Sequence, residues 1–193
     1  MNVINTLLNY IFPKDIIILE LERLSPREIF DMCRKSKKRN SIFSYKDPVV
    51  KKMIREIKYM KNMNLIKKCA RIIYMYLPKD TYTIIPVPAG KRRIKEYGYS
   101  QCELLVKEIE KIDTEKVFKY SYNNLNKTKN TKSQNKIKNR EERLNNLIGC
   151  FELKEKVKGK IILIDDVYTT GATMKEISKL FDTEDLVPFT ISH

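Results

Sequence analysis

The 193-residue sequence has a single histidine, His193, at its last position. It offers no histidine pair for a metal and no Cys–His constellation for nucleophilic catalysis, and His193 is expected to have no role. The cysteines Cys33, Cys69, Cys102 and Cys150 form no CxxC pair. No zinc framework is expected; four reduced, buried thiols are. Cys33 sits beside basic residues that favour a thiolate, but an inert thiol is the simpler expectation. No apolar run approaches the roughly 20 residues of a membrane span. The opening Met1-Asn2-Val3-Ile4-Asn5 carries no basic leader and no long apolar stretch, so no secretory signal is expected, and a cytoplasmic location follows. There is no internal repeat.

Hydrophobic residues make up 42% of the chain, which excludes disorder throughout. A chain of this size buries about 70% of its unfolded surface and fits one domain with a small attachment. The net charge is +15. That predicts attraction to polyanions: nucleic acid, phosphorylated metabolites or acidic membrane. Residues 1–80 carry +10 of it and residues 81–193 carry +5. Arg34, Lys35, Lys37, Lys38 and Arg39 form the densest patch, a candidate nucleic-acid surface with plain solvated surface as the alternative. A second polar stretch, residues 123–146, reads as a long loop leading into a short helix.

Apolar spacing predicts helices over residues 2–11, from Pro26 to about Lys35, from Pro48 to about Met60, and over 65–76. Ser25-Pro26-Arg27-Glu28 reads as a capping box with a first-turn proline. Further capping boxes are read at Ser100–Glu103 and Thr173–Glu176, each opening a helix. Strands are expected at Tyr82–Val87, Val117–Tyr120, Phe151–Leu153, Lys160–Asp165 and Leu186–Ile191. The fourth is a continuous apolar run, as in a parallel strand buried on both faces. Strands alternating with helices point to an α/β fold with a parallel sheet, preceded by a mainly helical N-terminal region.

Chemistry concentrates in the stretch from Ile161 to Thr173. A buried strand ends in Asp165 and Asp166, followed by Val167, Tyr168, Thr169, Thr170, Gly171, Ala172 and Thr173. In open α/β sheets, ligands sit at the carboxyl ends of strands. Small residues allow close backbone approach, and the amides of 169–173 with the following helix start can hold a phosphate. Two carboxylates would repel that phosphate but suit sugar hydroxyls or a divalent cation. The constellation asks for a phosphorylated sugar with Mg2+. A Walker-type hydrolase is excluded, because neither Gly90-Lys91-Arg92 nor Gly159-Lys160-Ile161 supplies GxxxxGK[ST].

Ile162 to Thr173 resembles the phosphoribosyl-pyrophosphate (PRPP) motif of type I phosphoribosyltransferases. Ile85-Pro86-Val87-Pro88, the basic Lys91-Arg92-Arg93 and Tyr97-Gly98-Tyr99-Ser100-Gln101 resemble the ComF competence family. So do Lys132-Ser133-Gln134, Arg140, Arg143, Asn145 and Gly149-Cys150-Phe151. Tyr45, with Ile54, Ile57, Lys58 and Tyr59, fits that family's upstream helix. The resemblance covers roughly residues 45–193 and implies a type I phosphoribosyltransferase-like parallel sheet flanked by helices. Residues 1–44 would then be a separate helical segment, a degenerate zinc-ribbon region that keeps only Cys33.

The resemblance implies PRPP contacts from Asp165, Asp166, Val167, Thr169, Thr170, Gly171, Ala172 and Thr173. Asp165 and Asp166 would face the ribose hydroxyls and a ligand-borne Mg2+. Pro88, Ala89, Gly90, Lys91 and Arg92 match the pyrophosphate loop, and Asn123–Asn139 matches the mobile flap. Single-stranded DNA and a competence DNA translocase or helicase are the implied partners. Two functions remain open: a ComF-type binding protein linked to DNA uptake, and an active PRPP-dependent transferase of nucleotide salvage or synthesis with an unassigned acceptor.

Overall fold

The computed structural model describes residues 15–129 and 147–193. The helix expected over residues 2–11 lies outside them, as do Lys132, Ser133, Gln134, Arg140, Arg143 and Asn145 and most of the expected flap.

The first described elements are α1 (Ile16–Arg23) and α2 (Pro26–Met32). Ser25 forms the capping box read from the sequence: its side chain accepts the Glu28 N–H, and the Glu28 carboxylate accepts the Ser25 N–H. Strand β1 (Ser41–Phe43) follows, unannounced by any long apolar alternation. Next come α3 (Pro48–Tyr59), capped by Asp47, and α4 (Met63–Tyr76), capped by Asn62. β2 (Tyr82–Pro86), α5 (Lys91–Tyr97), α6 (Gln101–Ile112) and β3 (Lys119–Tyr120) form the middle of the chain. β4 (Leu125–Lys127) and β5 (Phe151–Leu153) pair as an antiparallel hairpin. β6 (Lys160–Val167), α7 (Ala172–Ser178) and β7 (Leu186–Ser192) complete it.

Five strands form one all-parallel sheet in the order β1-β7-β6-β2-β3. The α/β class and the helix-flanked parallel sheet are those expected. β6 lies at its centre, between β2 and β7, which explains its unbroken apolar run. Side-chain alternation along β6 feeds two cores. Ile162 and Ile164 pack with α1–α4 and α6, while Ile161 and Leu163 pack with α7 and the hairpin. Residues of the expected separate segment, Ile18, Leu21, Ile29, Cys33 and Phe43, share the first of these cores. β1 extends the same sheet beside β7.

Two capping boxes do not form. Ser100 caps α6 without a side-chain hydrogen bond. The last helix begins two residues early, at Ala172, behind Gly171 in the left-handed conformation (φ 75°). Glu176 instead accepts the Gly149 N–H at 2.7 Å. α5 has no buried face, so no periodic stripe announces it. It is bounded by Gly90 and by left-handed Gly98, a C-terminal signal that needs no side chain.

All four cysteines are buried free thiols. Burial, with the Asp47 charge, pushes the Cys33 thiol up to about 11, so its basic neighbours do not make it reactive.

Candidate functional site

Asp165 and Asp166 lie near the carboxyl end of the central strand, where an open sheet presents ligands. Alternation sends Asp166 to the α3–α6 side, and it is 3% exposed. Lys58 Nζ of α3 lies 3.1 Å from its Oδ1, and Gln101 Nε2 of α6 donates to its Oδ2 at 3.2 Å. Burial opposes the Lys58 charge, but Asp166 and Asp165 outweigh it and hold the amine above its usual range. Both oxygens of Asp166 are thus engaged inside the protein, whereas the resemblance had this carboxylate facing ribose.

Asp165 is half-buried. Its Oδ1 accepts the Asp166 N–H at 2.9 Å and the Cys102 thiol at 3.5 Å, and no partner for Oδ2 is found among the described residues. Burial and the adjacent Asp166 charge raise its pKa to about 7. Burial and the same two carboxylates push the Cys102 thiol well above its normal range, so it stays protonated and donates.

The loop after β6 is open at its backbone. Tyr168 N–H donates to Ser192 O, and Ala172 N–H to the Thr170 hydroxyl. No acceptor for the N–H groups of Thr169, Thr170 and Gly171 is found among the described residues. The Tyr168 phenol oxygen occupies the space that a Cβ at 171 would need. The positive φ favours glycine here, and a Cβ would also displace the Tyr168 phenol. Val167 ends the strand, and Thr173 lies in the first turn of α7.

Pro88, Ala89 and Gly90 lie in the turn from β2 into α5, and Lys91 and Arg92 are the first residues of that helix. Pro88, Ala89 and Lys91, with Ile94 and Lys95, line one wall of a cavity of about 630 Å³. Asn126, Lys127, Thr128 and Glu152 of the hairpin line the other. Burial lowers the Lys127 pKa, against the pull of Cys150 and Asp165. The Lys127 stem lies 3.7 Å from where a Gly90 Cβ would stand. The sequence expectation of a loop from Asn123 thus misses a strand that brings a lysine to the pyrophosphate-loop position.

The basic run follows α2 into a turn and bridges back to the sheet through Lys35 and Phe43. All five side chains are exposed, but they are not equivalent. Lys35 Nζ donates to Phe30 O and Cys33 O and stands 4.0 Å from the Phe30 ring centre, so it ties the turn to α2. Lys38 Nζ stands 4.7 Å from the Tyr168 ring. Tyr168 in turn packs 5.7 Å from the His193 ring. The basic turn therefore adjoins the loop of residues 169–173, a proximity that the sequence separation hides. Tyr99 donates to Ile57 O, Tyr120 to Asp113 and Tyr122 to Glu110, and Tyr97 packs on Arg93.

No family model matches the chain. Competence protein F of Haemophilus influenzae is 30% identical over 141 residues, covering 66% of this chain and 59% of that protein. Competence protein ComFC of Bacillus subtilis is 28% identical, covering 69% of this chain and 53% of its own length. The DNA utilization protein YhgH of Escherichia coli K12 is 26% identical, over 69% and 61%. The chain is homologous to these competence F-type proteins and spans between half and two thirds of their length. A hypoxanthine phosphoribosyltransferase from Staphylococcus aureus aligns over 73% of this chain and 62% of its own, at 16% identity and a TM-score of 0.28. That superposition is too loose to add to the topology. Among the described residues no helix is long and apolar enough to cross a membrane.

Proposed function

We propose that this chain binds PRPP, or a closely related phosphorylated ribose, together with Mg2+, and acts in DNA uptake. The observation that carries the ligand reading is the loop at the end of β6. Three consecutive backbone N–H groups, of Thr169, Thr170 and Gly171, lack partners among the described residues, and so does one oxygen of Asp165 at the end of the same strand. A phosphate suits the first and a sugar hydroxyl suits the second. α7 is only seven residues long, so the loop amides rather than a helix dipole must hold the anion.

Mg2+ fits this site only as part of the ligand. No three of His, Cys, Asp and Glu converge among the described residues, and Asp166 is already neutralised by Lys58. Diphosphate and ribose oxygens are the hard donors that Mg2+ prefers, and Asp165 adds one more. When bound, the ion would offset charge on the diphosphate. The chain's own part is to hold the phosphate on the loop amides and the ribose on Asp165, with Lys91 and Lys127 facing the diphosphate.

The names of the relatives, competence and DNA-utilization proteins, support the DNA-uptake setting. The basic turn beside the phosphate loop supports single-stranded DNA as a partner, with a translocase alongside. A second reading, phosphoribosyl transfer to an acceptor in nucleotide metabolism, rests on the 630 Å³ cavity next to the pyrophosphate-loop position.

Calorimetric titration of PRPP tests the ligand. Saturable binding that requires Mg2+ and disappears in Asp165→Asn is expected. A folded protein that takes up no PRPP at any magnesium concentration overturns the proposal. Release of pyrophosphate on adding a purine or pyrimidine base would select the second reading.

A further inference from the structure

Arg93 lies in the basic stretch beside the pyrophosphate-loop position, yet its side chain turns away from the cavity. Its guanidinium lies against two adjacent aromatic rings, 5.2 Å from the Tyr59 centre and 5.1 Å from the Tyr97 centre. The rings themselves are 5.4 Å apart. These two ring contacts, together with its two hydrogen bonds, restrict the guanidinium and therefore the direction of its N–H fork. One donor, Nε, reaches Gln101 Oε1 at 3.0 Å, and Nη2 donates to the Lys58 backbone carbonyl.

That arrangement leaves Gln101 one orientation. Guanidinium can only donate, so the atom facing it must be the amide oxygen. The amide nitrogen must then face the other way, and it donates to Asp166 Oδ2 at 3.2 Å. The second carboxylate oxygen is held by Lys58 Nζ at 3.1 Å, from the residue whose carbonyl Arg93 also binds. Residues of three helices, α3, α5 and α6, thus form one network around Asp166, and Arg93 is bonded to both of its holders.

We infer that Arg93 is a positioning residue: it sets the Gln101 amide and the Lys58 backbone, and through them fixes the Asp166 carboxylate and the end of β6. Asp165 accepts the Asp166 N–H, so the hydroxyl-facing carboxylate inherits this placement. The role rests on the proposed ribose site and adds a mechanical link to it. Any movement of α5, which carries the pyrophosphate-loop position, is transmitted to the carboxylates at the end of the central strand. Lys91 and Lys127 are left to face the anion.

The test has a ligand-free arm and a ligand arm. In the ligand-free protein, nitrogen-edited NMR of the Gln101 side-chain amide is expected to show one strongly shifted, exchange-protected proton, the signature of a charge-assisted bond to Asp166. Arg93→Lys, which keeps a cation but loses the planar fork, is expected to abolish that signature while the thermal transition remains cooperative. PRPP·Mg2+ affinity is expected to fall by about tenfold, as for the loss of one hydrogen bond. In a Gln101→Leu background the same Arg93 substitution is expected to cause a smaller loss, the part that acts through the Lys58 backbone. A protected Gln101 amide that survives in Arg93→Lys overturns the inference. So does an affinity loss that adds in full to that of Gln101→Leu, since it would mean that Arg93 does not act through Gln101. If the unmodified protein binds no PRPP, the ribose-site reading fails by itself, and the NMR arm still decides the role of Arg93.

Discussion

Lys58 Nζ lies 3.1 Å from Asp166 Oδ1, and only 4% of the Asp166 side chain is exposed. The sequence presents the two carboxylates as a matched pair, but the structure gives them opposite surroundings. Asp166 has a cation and an amide as partners; Asp165 has a like charge beside it and an oxygen to spare. Asp166→Asn leaves the Lys58 charge without its closest counter-ion. The expected cost is ~1–3 kcal/mol, below the figure for a fully buried pair because Lys58 keeps some solvent contact. Denaturant unfolding measures it, and Lys58→Met combined with Asp166→Asn should recover much of the loss.

Asp165 should behave in the contrary way. Its pKa is raised to about 7 in the folded protein, above the value of a carboxyl in an unfolded chain. Between roughly pH 4 and 7 the folded state therefore holds a proton that the unfolded state has released, so this group removes stability as pH rises through that window. Asp165→Asn should be more stable than the parent at pH 8, no more stable at pH 4, and unable to bind PRPP. Thermal melts across this range give the first two outcomes and calorimetry the third.

Gly171 is held at φ 75° with the Tyr168 phenol where a Cβ would go. Gly171→Ala incurs both the left-handed backbone penalty and the displacement of Tyr168, together ~1–3 kcal/mol. The displaced tyrosine should lose its packing against His193, which the His193 ring signals in NMR would report.

In the basic turn the residues should separate into two groups. Lys35→Ala removes the donor that ties the turn to Phe30 O and Cys33 O, so it should lower stability. Replacing Lys37, Lys38 and Arg39 by Ala should leave the fold intact. It should also lower oligonucleotide affinity uniformly across sequences. The salt dependence should become shallower, by about one unit of slope for each phosphate that is no longer neutralised. An unchanged slope would assign the turn to ordinary surface.

The sequence made the sheet legible because its strands are apolar and its helices striped. β6 could be read from Ile161 to Ile164, and α3 from Val50, Met53, Ile54 and Ile57. α5 could not, having no buried residue, and β1 and β4 were too short to show a period. The Asp-Asp-to-Thr stretch was legible as a motif because all its parts are contiguous. The holders of Asp166, Lys58 and Gln101, stand among the residues that carry the resemblance, but their contact with Asp166 was not legible. Gln101 is 65 residues away, and nothing in its helix stripe distinguishes it from a polar residue at a helix start. Lys127 was hidden by its polar surroundings, and the proximity of Lys38 to Tyr168 by the long stretch of intervening chain. Such contacts are made by topology rather than by local pattern.

The most direct test of the ligand site is a crystal structure with PRPP and Mg2+ bound. The 5′-phosphate is expected on the N–H groups of Thr169, Thr170 and Gly171, with ribose hydroxyls at Asp165 and the diphosphate toward Lys91 and Lys127. A phosphate found instead on the basic turn at Lys37–Arg39, with the 169–173 loop unchanged and Asp165 untouched, would contradict it.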